Sequence, residues 1–264
     1  MAAANLGSFS IDEITEADVV DLLPVVAIGT FDPNNVEYID HPNGNILETA
    51  IDVISLNDSE NQVYLVNLGF EVGTEIPEHG SVVTAGDSRG WKKIRVLRSG
   101  DGYILQYANL NDTNHQEIIV PKTPEYNFNF FSFNTNNFIQ VEPKAEQWDL
   151  NFTVFTNIIE GAGSYGFADG VLHNRKGGVS AYEVSTDQNS YEGFNLSNVN
   201  HNSFEHDQRA IGSNWRDVFD GAPISDLFYI VRDPNNNIYK LKFLSLTNNQ
   251  GVRGYPEFEY ELLK

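Results

Sequence analysis

The stretch Phe258-Glu259-Tyr260-Glu261-Leu262, close to the end of the chain, gives the clearest indication of the fold. Apolar and acidic residues alternate in it one by one, which is the pattern of a β-strand with a different environment on each face. Antiparallel sheets commonly have one face on a core and one face in water. We therefore predict a strand here, with a buried aromatic face and a solvated glutamate face.

Two predicted hairpins extend this pattern towards the N-terminus. Apolar runs at 227–231 and 239–246 flank the turn-forming residues 233–237, and a slip of the alternation at Leu244 predicts a β-bulge. A second hairpin is predicted at 99–102, because Gly and Asp there separate two further apolar runs. The sequence therefore predicts an all-β fold of antiparallel sheets.

Two segments depart from the β pattern and are predicted to be short helices. Residues 11–23 begin with acidic side chains and end before Pro24, as a helix does. Asp207 suits a helix cap, and the residues after it put several apolar side chains on one helical face. These apolar residues are Ile211, Trp215 and Val218 or Phe219.

Length and composition restrict the class of protein. The 264 residues suit a single β protein over 1–264, in which about 1–78 are a candidate for a small N-terminal β subdomain. The formal net charge is −21 with only 16 Lys and Arg, so nucleic acid is not an expected partner. The chain has no cysteine and no apolar stretch of membrane-spanning length. Membrane attachment is expected only through a lipid anchor removed from this sequence.

Catalytic motifs are matched only superficially. Residues 161–166 fit G-x-G-x-x-G, but a dinucleotide site needs a helix to start there and strand-like residues follow instead. The same stretch nearly forms a nucleophile elbow around Ser164, with Ala162 in place of the first glycine. No H-E-x-x-H motif occurs, and no pair of carboxylates stands out for glycoside hydrolysis. We predict that the protein is not an enzyme.

Histidines are the best candidates for a ligand site. Three of them lie in polar stretches and are predicted to be ordinary loop residues: His41, His79 and His115. His173 follows an apolar run and precedes Arg175, whereas His206 lies near His201 and precedes Arg209. Neutral imidazole binds haem iron, and basic side chains can pair with the propionates. The residues leave three readings open: a haem site at His173 and His206, plain loop histidines, or ligation by one of the 12 tyrosines.

Several blocks of sequence, in the same order, resemble the HmuY-like family of haem-binding surface or secreted lipoproteins of Bacteroidetes. The blocks are 90–93, 102–108, 141–143, 148–153, 170–179, 211–215, 229–233, 239–243 and 251–260. The resemblance covers roughly residues 80–264. It implies an all-β haemophore-like protein that serves haem and iron acquisition outside the cell or at the outer-membrane surface. It also implies a TonB-dependent receptor as partner.

One position departs from the family pattern. In the family an axial histidine follows the Trp-Asp pair in the strand that begins there, and this chain has Thr153 at that place. The family ligand does not carry over, and His173 and His206, with their neighbouring basic residues, are our predicted cofactor and iron ligands. The alternative is a surface lipoprotein of the same fold that has lost the haem site. Such a protein would bind another flat apolar ligand or a transporter partner.

Overall fold

The computed structural model describes residues 2–77, 83 and 86–264. Strands make up 38% of the chain and helical segments 9%, and the paired strands are antiparallel, so the predicted all-β class is confirmed. His79 lies outside the described residues.

Fifteen strands occur within the described residues. In chain order they are β1 (Ala2–Asn5), β2 (Val63–Asn67), β3 (Trp91–Ser99), β4 (Gly102–Ala108), β5 (Gln116–Val120), β6 (Phe130–Ser132), β7 (Asn137–Ile139), β8 (Leu150–Ile159), β9 (Gly163–His173), β10 (Ser180–Ser185), β11 (Arg216–Asp217), β12 (Ala222–Pro223), β13 (Leu227–Arg232), β14 (Ile238–Thr247) and β15 (Arg253–Leu262). The described residues also contain one short α-helix, α1 (Glu16–Val19). Five 3₁₀ turns lie at Ile11–Glu13, Pro33–Tyr38, Asp58–Glu60, Ala145–Gln147 and Leu196–Asn198.

The chain divides into two compact units. The first comprises the described residues of 2–73, 86–142 and 156–166, and contains the sheet β1-β2-β3-β4-β5 and the hairpin β6-β7. Its strand β2 is buried on both faces, because Leu65 packs into one apolar cluster and Val66 into another. Strands buried in this way read as continuous apolar runs rather than as alternating ones.

The second unit comprises the described residues of 74–84, 143–155 and 167–264. It contains the sheet β10-β13-β14-β15 and the small pair β11-β12. Phe228 and Ile230 of β13 pack on one face of the sheet, and Tyr229 and Val231 pack on the other. The two-stranded sheet β8-β9 contributes 150–155 and 167–173 to this unit.

The predicted hairpins are confirmed. Strands β13 and β14 pair with Tyr229 opposite Leu241, and β3 and β4 pair across the turn at Ser99. The predicted bulge is also present, since the register between β14 and β15 shifts on both sides of Ser245. Alternation and turn residues were sufficient to place these elements.

The predicted burial of the aromatic face of β15 is wrong in part. Glu257, Glu259 and Glu261 are exposed as predicted, but Tyr260 is 66% exposed and Leu262 is 39% exposed. Strand β15 is the edge of its sheet. Its aromatic face is therefore not fully covered, and the uncovered part forms the groove described below.

The first predicted helix, over 11–23, is present only as short pieces. A 3₁₀ turn ends at Glu13, Ile14 is extended, and α1 starts only after Thr15. Thr15 donates both its backbone N–H and its hydroxyl to the Asp18 carboxylate, at 2.8 Å each. Because Thr15 acts as a new helix cap, it interrupts the helix that the acidic start suggested.

The second predicted helix, after Asp207, is wrong. The backbone of Gly212 exchanges two hydrogen bonds with Val171 of β9, at 2.8 and 2.9 Å, and Arg216 already belongs to β11. Gly212 also has a φ of +56°, which lies outside the helical region. Ile211 and Trp215 are both fully buried, so their four-residue spacing reflects turns that direct both side chains into the core.

Candidate functional site

An open groove of about 380 Å³ lies in the second unit. Its floor is one face of the sheet and is formed by Val231, Tyr239, Leu241, Phe258 and Tyr260. The remaining lining residues lie at or just before the start of β8: Asp149, Leu150 and Phe152. The lining is apolar and aromatic apart from one carboxylate and two phenol groups.

The rings of the groove are ordered by contact with one another. Phe152 stacks on Phe258 with ring centroids 5.5 Å apart and an interplanar angle of 18°. Tyr239 meets Tyr260 nearly edge to face at 6.3 Å. These separations are those of favourable aromatic pairs. The groove is therefore lined by rings that keep part of their surface available to a ligand.

The buried Asn174 positions the start of β8 beside the sheet. Its side-chain amide donates to the carbonyl oxygens of Ala145 and Trp148, at 2.9 and 3.0 Å, and its backbone N–H donates to the Asp149 carbonyl at 2.8 Å. Its side-chain oxygen accepts from the N–H of Gly177 at 2.8 Å. Asn174 thus holds the segment that brings Asp149 to the groove.

His173 ends β9 and is 1% exposed. Neither of its ring nitrogens has a hydrogen-bond partner among the described residues. The pKa of His173 is lowered to about 4, mainly by burial. The negative charge of Asp207 opposes this shift, whereas His206 and Arg175 add to it. The imidazole is therefore neutral at pH 7. A buried ring with no partner is unusual, since most buried polar groups are paired.

The structure brings His206 into the neighbourhood of His173. The backbone N–H of His173 donates to the Gln208 carbonyl at 3.1 Å, so the segment that contains His206 runs beside the end of β9. His206 itself is exposed. Burial works against ionisation of Asp207, but hydrogen bonds and charge from Arg209 outweigh it and lower the Asp207 pKa. The predicted cation Arg209 is thus already paired with Asp207, at 2.6 Å.

The other described histidines lie elsewhere and have ordinary surroundings. His41 lies 3.5 Å from Glu48, and His115 lies 3.0 Å from Asp12. His201 is exposed and contacts the ring of Phe204. His41 and His115 both lie outside helices and strands, as predicted. Within the described residues, no group of three or more His, Asp or Glu side chains could hold a metal ion.

The glycine-rich stretch 161–166 does not form a nucleotide loop. Gly163 starts β9, so a strand follows where a dinucleotide site would need a helix. The Ser164 hydroxyl accepts a hydrogen bond from the N–H of Gly29 at 3.0 Å. Ser164 therefore has a structural contact and is not presented at a strand-to-helix turn.

We expect His173 to make stability depend on pH. Because its pKa in the folded chain is about 4, against about 6.5 when unfolded, only the unfolded chain gains this proton between those pH values. The free energy of unfolding should therefore fall as pH drops from 6.5 to 4, by roughly 3 kcal/mol for this group.

Urea unfolding of the wild type and of His173→Phe at pH 7, 6, 5 and 4.5 measures this effect. The variant keeps a ring of similar size and should lose stability less steeply, while the exposed control His201→Phe should follow the wild type. Parallel curves for the wild type and His173→Phe would show that His173 is not a buried neutral group.

Haem fits the two candidate regions in different respects. His173 offers a neutral ring whose nitrogens have no other partner, which suits iron ligation. The groove offers a flat aromatic surface, but none of its lining residues is a histidine, and its only charged lining residue is an acid. Thr153 lies on β8 next to the groove residue Phe152 and donates its hydroxyl to the Val154 carbonyl at 3.0 Å. The histidine region therefore fits the iron better, and the groove fits an apolar ring better.

Fold and site together define an all-β protein with a groove suited to an apolar ligand. The HmuY protein family model matches residues 125–260, more than half of the chain, and the chain therefore belongs to the HmuY family. The match includes the groove, His173 and His206. The resembling blocks at 90–93 and 102–108 precede it. No curated protein and no solved structure matches the chain.

The sequence predicts strand β15 but not the groove on its face. The alternation of aromatic and acidic residues in β15 indicated a strand face, and exposure of that face could not be recognised without the edge position of the strand. His173 was found because it follows an apolar run. The role of Asn174 as an anchor had no signal beyond its place in a block that resembles the family.

Proposed function

We propose that the chain is a haem-binding, haemophore-like protein that takes part in haem and iron acquisition. Membership of the HmuY family supports this function, because the family is associated with haem uptake. The observation in the structure that carries the proposal is the state of His173, a buried neutral imidazole with two unpartnered ring nitrogens. Such a ring, once it is reached, can ligate iron without losing a hydrogen bond.

His173 and His206 are the residues that would hold haem. Bound haem would supply a planar apolar ring and an iron that accepts nitrogen ligands. His173 would give its neutral nitrogen, and the exposed His206 lies on the neighbouring segment. Arg175 and Lys176, which follow His173 directly, are the nearest cations in sequence for the carboxylates of the ligand.

Access to His173 requires local opening. His173 is 1% exposed, and its backbone N–H donates to the backbone carbonyl of Gln208. A ligand would therefore reach the ring only when the segment around His206 moves away from the end of β9. Local openings of this kind have a smaller free-energy cost than global unfolding. Haem binding should consequently be slower than diffusion allows.

The proposal also covers the location of the protein and its partner. We infer that the protein works outside the cell or on the outer-membrane surface as a lipoprotein of Bacteroidetes type, and that it passes haem to a TonB-dependent receptor. The strongly acidic composition is compatible with a secreted protein. No described helix is both long and apolar enough to cross a membrane. We propose binding rather than enzymatic activity as its role.

A hemin titration tests the function. The purified chain at constant concentration should develop a sharp Soret band that saturates at one hemin per chain. The exposed-histidine variant His201→Ala should give the same curve as the wild type. A rise in absorbance that stays linear, without saturation, would contradict haem binding.

A second function is favoured by the groove itself. Thr153 replaces the expected ligand, and the aromatic groove next to it contains no histidine. A surface protein that has lost the haem site and uses this groove for another ligand, or for a transporter partner, accounts for both features. A flat hemin titration combined with saturable binding of another ligand at the groove would select this alternative.

A further inference from the structure

The charge of the groove described above is set by one side chain. Asp149 is the only charged residue among those that line the groove. In the described part of the chain, its carboxylate takes part in no hydrogen bond and no ion pair, although its backbone carbonyl accepts from Asn174. Asp149 is exposed, so its carboxylate is a solvated anion at the edge of an aromatic surface and is open to a ligand.

A second carboxylate increases the negative field at this place. Burial, followed by the negative charge of Asp233, raises the pKa of Asp149. Asp233 is itself satisfied, since its oxygens accept from the N–H groups of Asn235 and Asn237, at 2.8 Å each, and from the Asn237 amide at 2.7 Å. The groove therefore lies beside two acids, of which Asp233 is hydrogen-bonded within the protein and Asp149 faces solvent.

The field of both acids reaches the aromatic rings. Burial raises the pKa of Tyr239, and the charges of Asp233 and Asp149 follow as the next causes. Tyr239 in turn contacts Tyr260, and Phe152 stacks on Phe258. Ring faces carry negative partial charge and attract cations, and a nearby carboxylate adds its own attraction to the same charge. The four rings and the two acids thus all favour a positively charged ligand.

We propose that this groove is a binding site for a small organic cation with an apolar body, such as a quaternary ammonium compound. The rings of Phe152, Tyr239, Phe258 and Tyr260 would contact the apolar body and the cationic head, and Asp149 would neutralise the charge. An anionic ligand is disfavoured, because its carboxylates would meet Asp149. The site is separate from His173 and does not depend on haem binding.

Choline and its neutral isostere 3,3-dimethylbutan-1-ol provide the test. The two probes have the same shape and differ in charge, so ring and carboxylate contacts with a cation predict at least about 10-fold tighter binding of choline. Binding is measured by chemical-shift titration of the full chain. Equal affinities for the two probes, or no binding of choline, would overturn the proposal.

Three variants locate the binding to the groove. Asp149→Asn should weaken choline binding about 3- to 5-fold, the effect expected for one exposed charge, and leave the neutral probe unchanged. Tyr260→Leu, at a 66% exposed position, should fold normally and weaken choline binding as well. The control Asp187→Asn removes an exposed acid outside the groove lining and should change nothing. Equal effects of Asp149→Asn and Asp187→Asn would mean that net charge, and not the groove, attracts the cation.

Discussion

His173→Ala is expected to weaken hemin binding by at least about 100-fold, the upper end of what the loss of a supporting group costs at a metal site. The reason is that the substitution removes the buried nitrogens that have no other partner in the described structure. Hemin titrations of the wild type and the variant, followed at the Soret band, measure the change. The exposed His201→Ala is the matched control and should bind as the wild type does.

Imidazole rescue distinguishes lost ligation from damaged folding. His173→Ala leaves a space where the ring was, and free imidazole can enter it and offer the same nitrogen. Millimolar imidazole should therefore restore much of the hemin affinity of His173→Ala and have little effect on the wild type. Hemin binding by His173→Ala within a few-fold of the wild type would remove His173 from the proposed site.

Asp169→Asn is expected to lower the free energy of unfolding by about 3 kcal/mol, because it breaks a buried ion cluster. The Asp169 carboxylate contacts the guanidinium of Arg253 and lies 3.7 Å from Nε of Arg216, and all three side chains are about nine-tenths buried. The backbone carbonyl of Asp169 also accepts from the Trp215 indole at 2.8 Å. Loss of the negative charge leaves two buried arginines without their shared anion.

The choice of asparagine separates charge from backbone strain. Asp169 has a φ of +55°, a conformation that Asn tolerates better than most residues. Asp169→Ala should therefore cost roughly 1 kcal/mol more than Asp169→Asn. Urea unfolding followed by tryptophan fluorescence measures both, with the exposed Asp187→Asn as control. If Asp169→Asn were as stable as the control, the cluster would contribute nothing to the second unit.

The fold was predictable where local chemistry decides the structure. Alternation with period two, together with Gly and Asn at the turns, was enough to place β13, β14 and β15 and the bulge at Ser245. The prediction from periodicity is wrong after Asp207, where Ile211 and Trp215 have helical spacing but no helix forms. There the backbone bonds of Gly212 to Val171 of β9 replace the helical ones, and contacts between residues far apart in sequence leave no periodic signal.

The candidate site was predictable only in part, for a similar reason. His173 could be singled out from its own neighbours, and the structure adds that it is buried and unpaired. The groove could not be predicted, because its floor and its wall come from residues near 150, 240 and 260 that meet only in three dimensions. Asp149 gains its significance solely from the rings of Phe152 and Tyr239 beside it.

The electron paramagnetic resonance spectrum of the ferric haem complex tests the central proposal most directly, because it reports the ligands of the iron. The wild-type chain should give the low-spin spectrum of iron with axial nitrogen ligands, and His173→Ala should give a high-spin spectrum that returns to low spin when imidazole is added. A high-spin spectrum of the wild type would contradict ligation by His173 and His206 together, and the same spectrum for the wild type and His173→Ala would contradict ligation by His173.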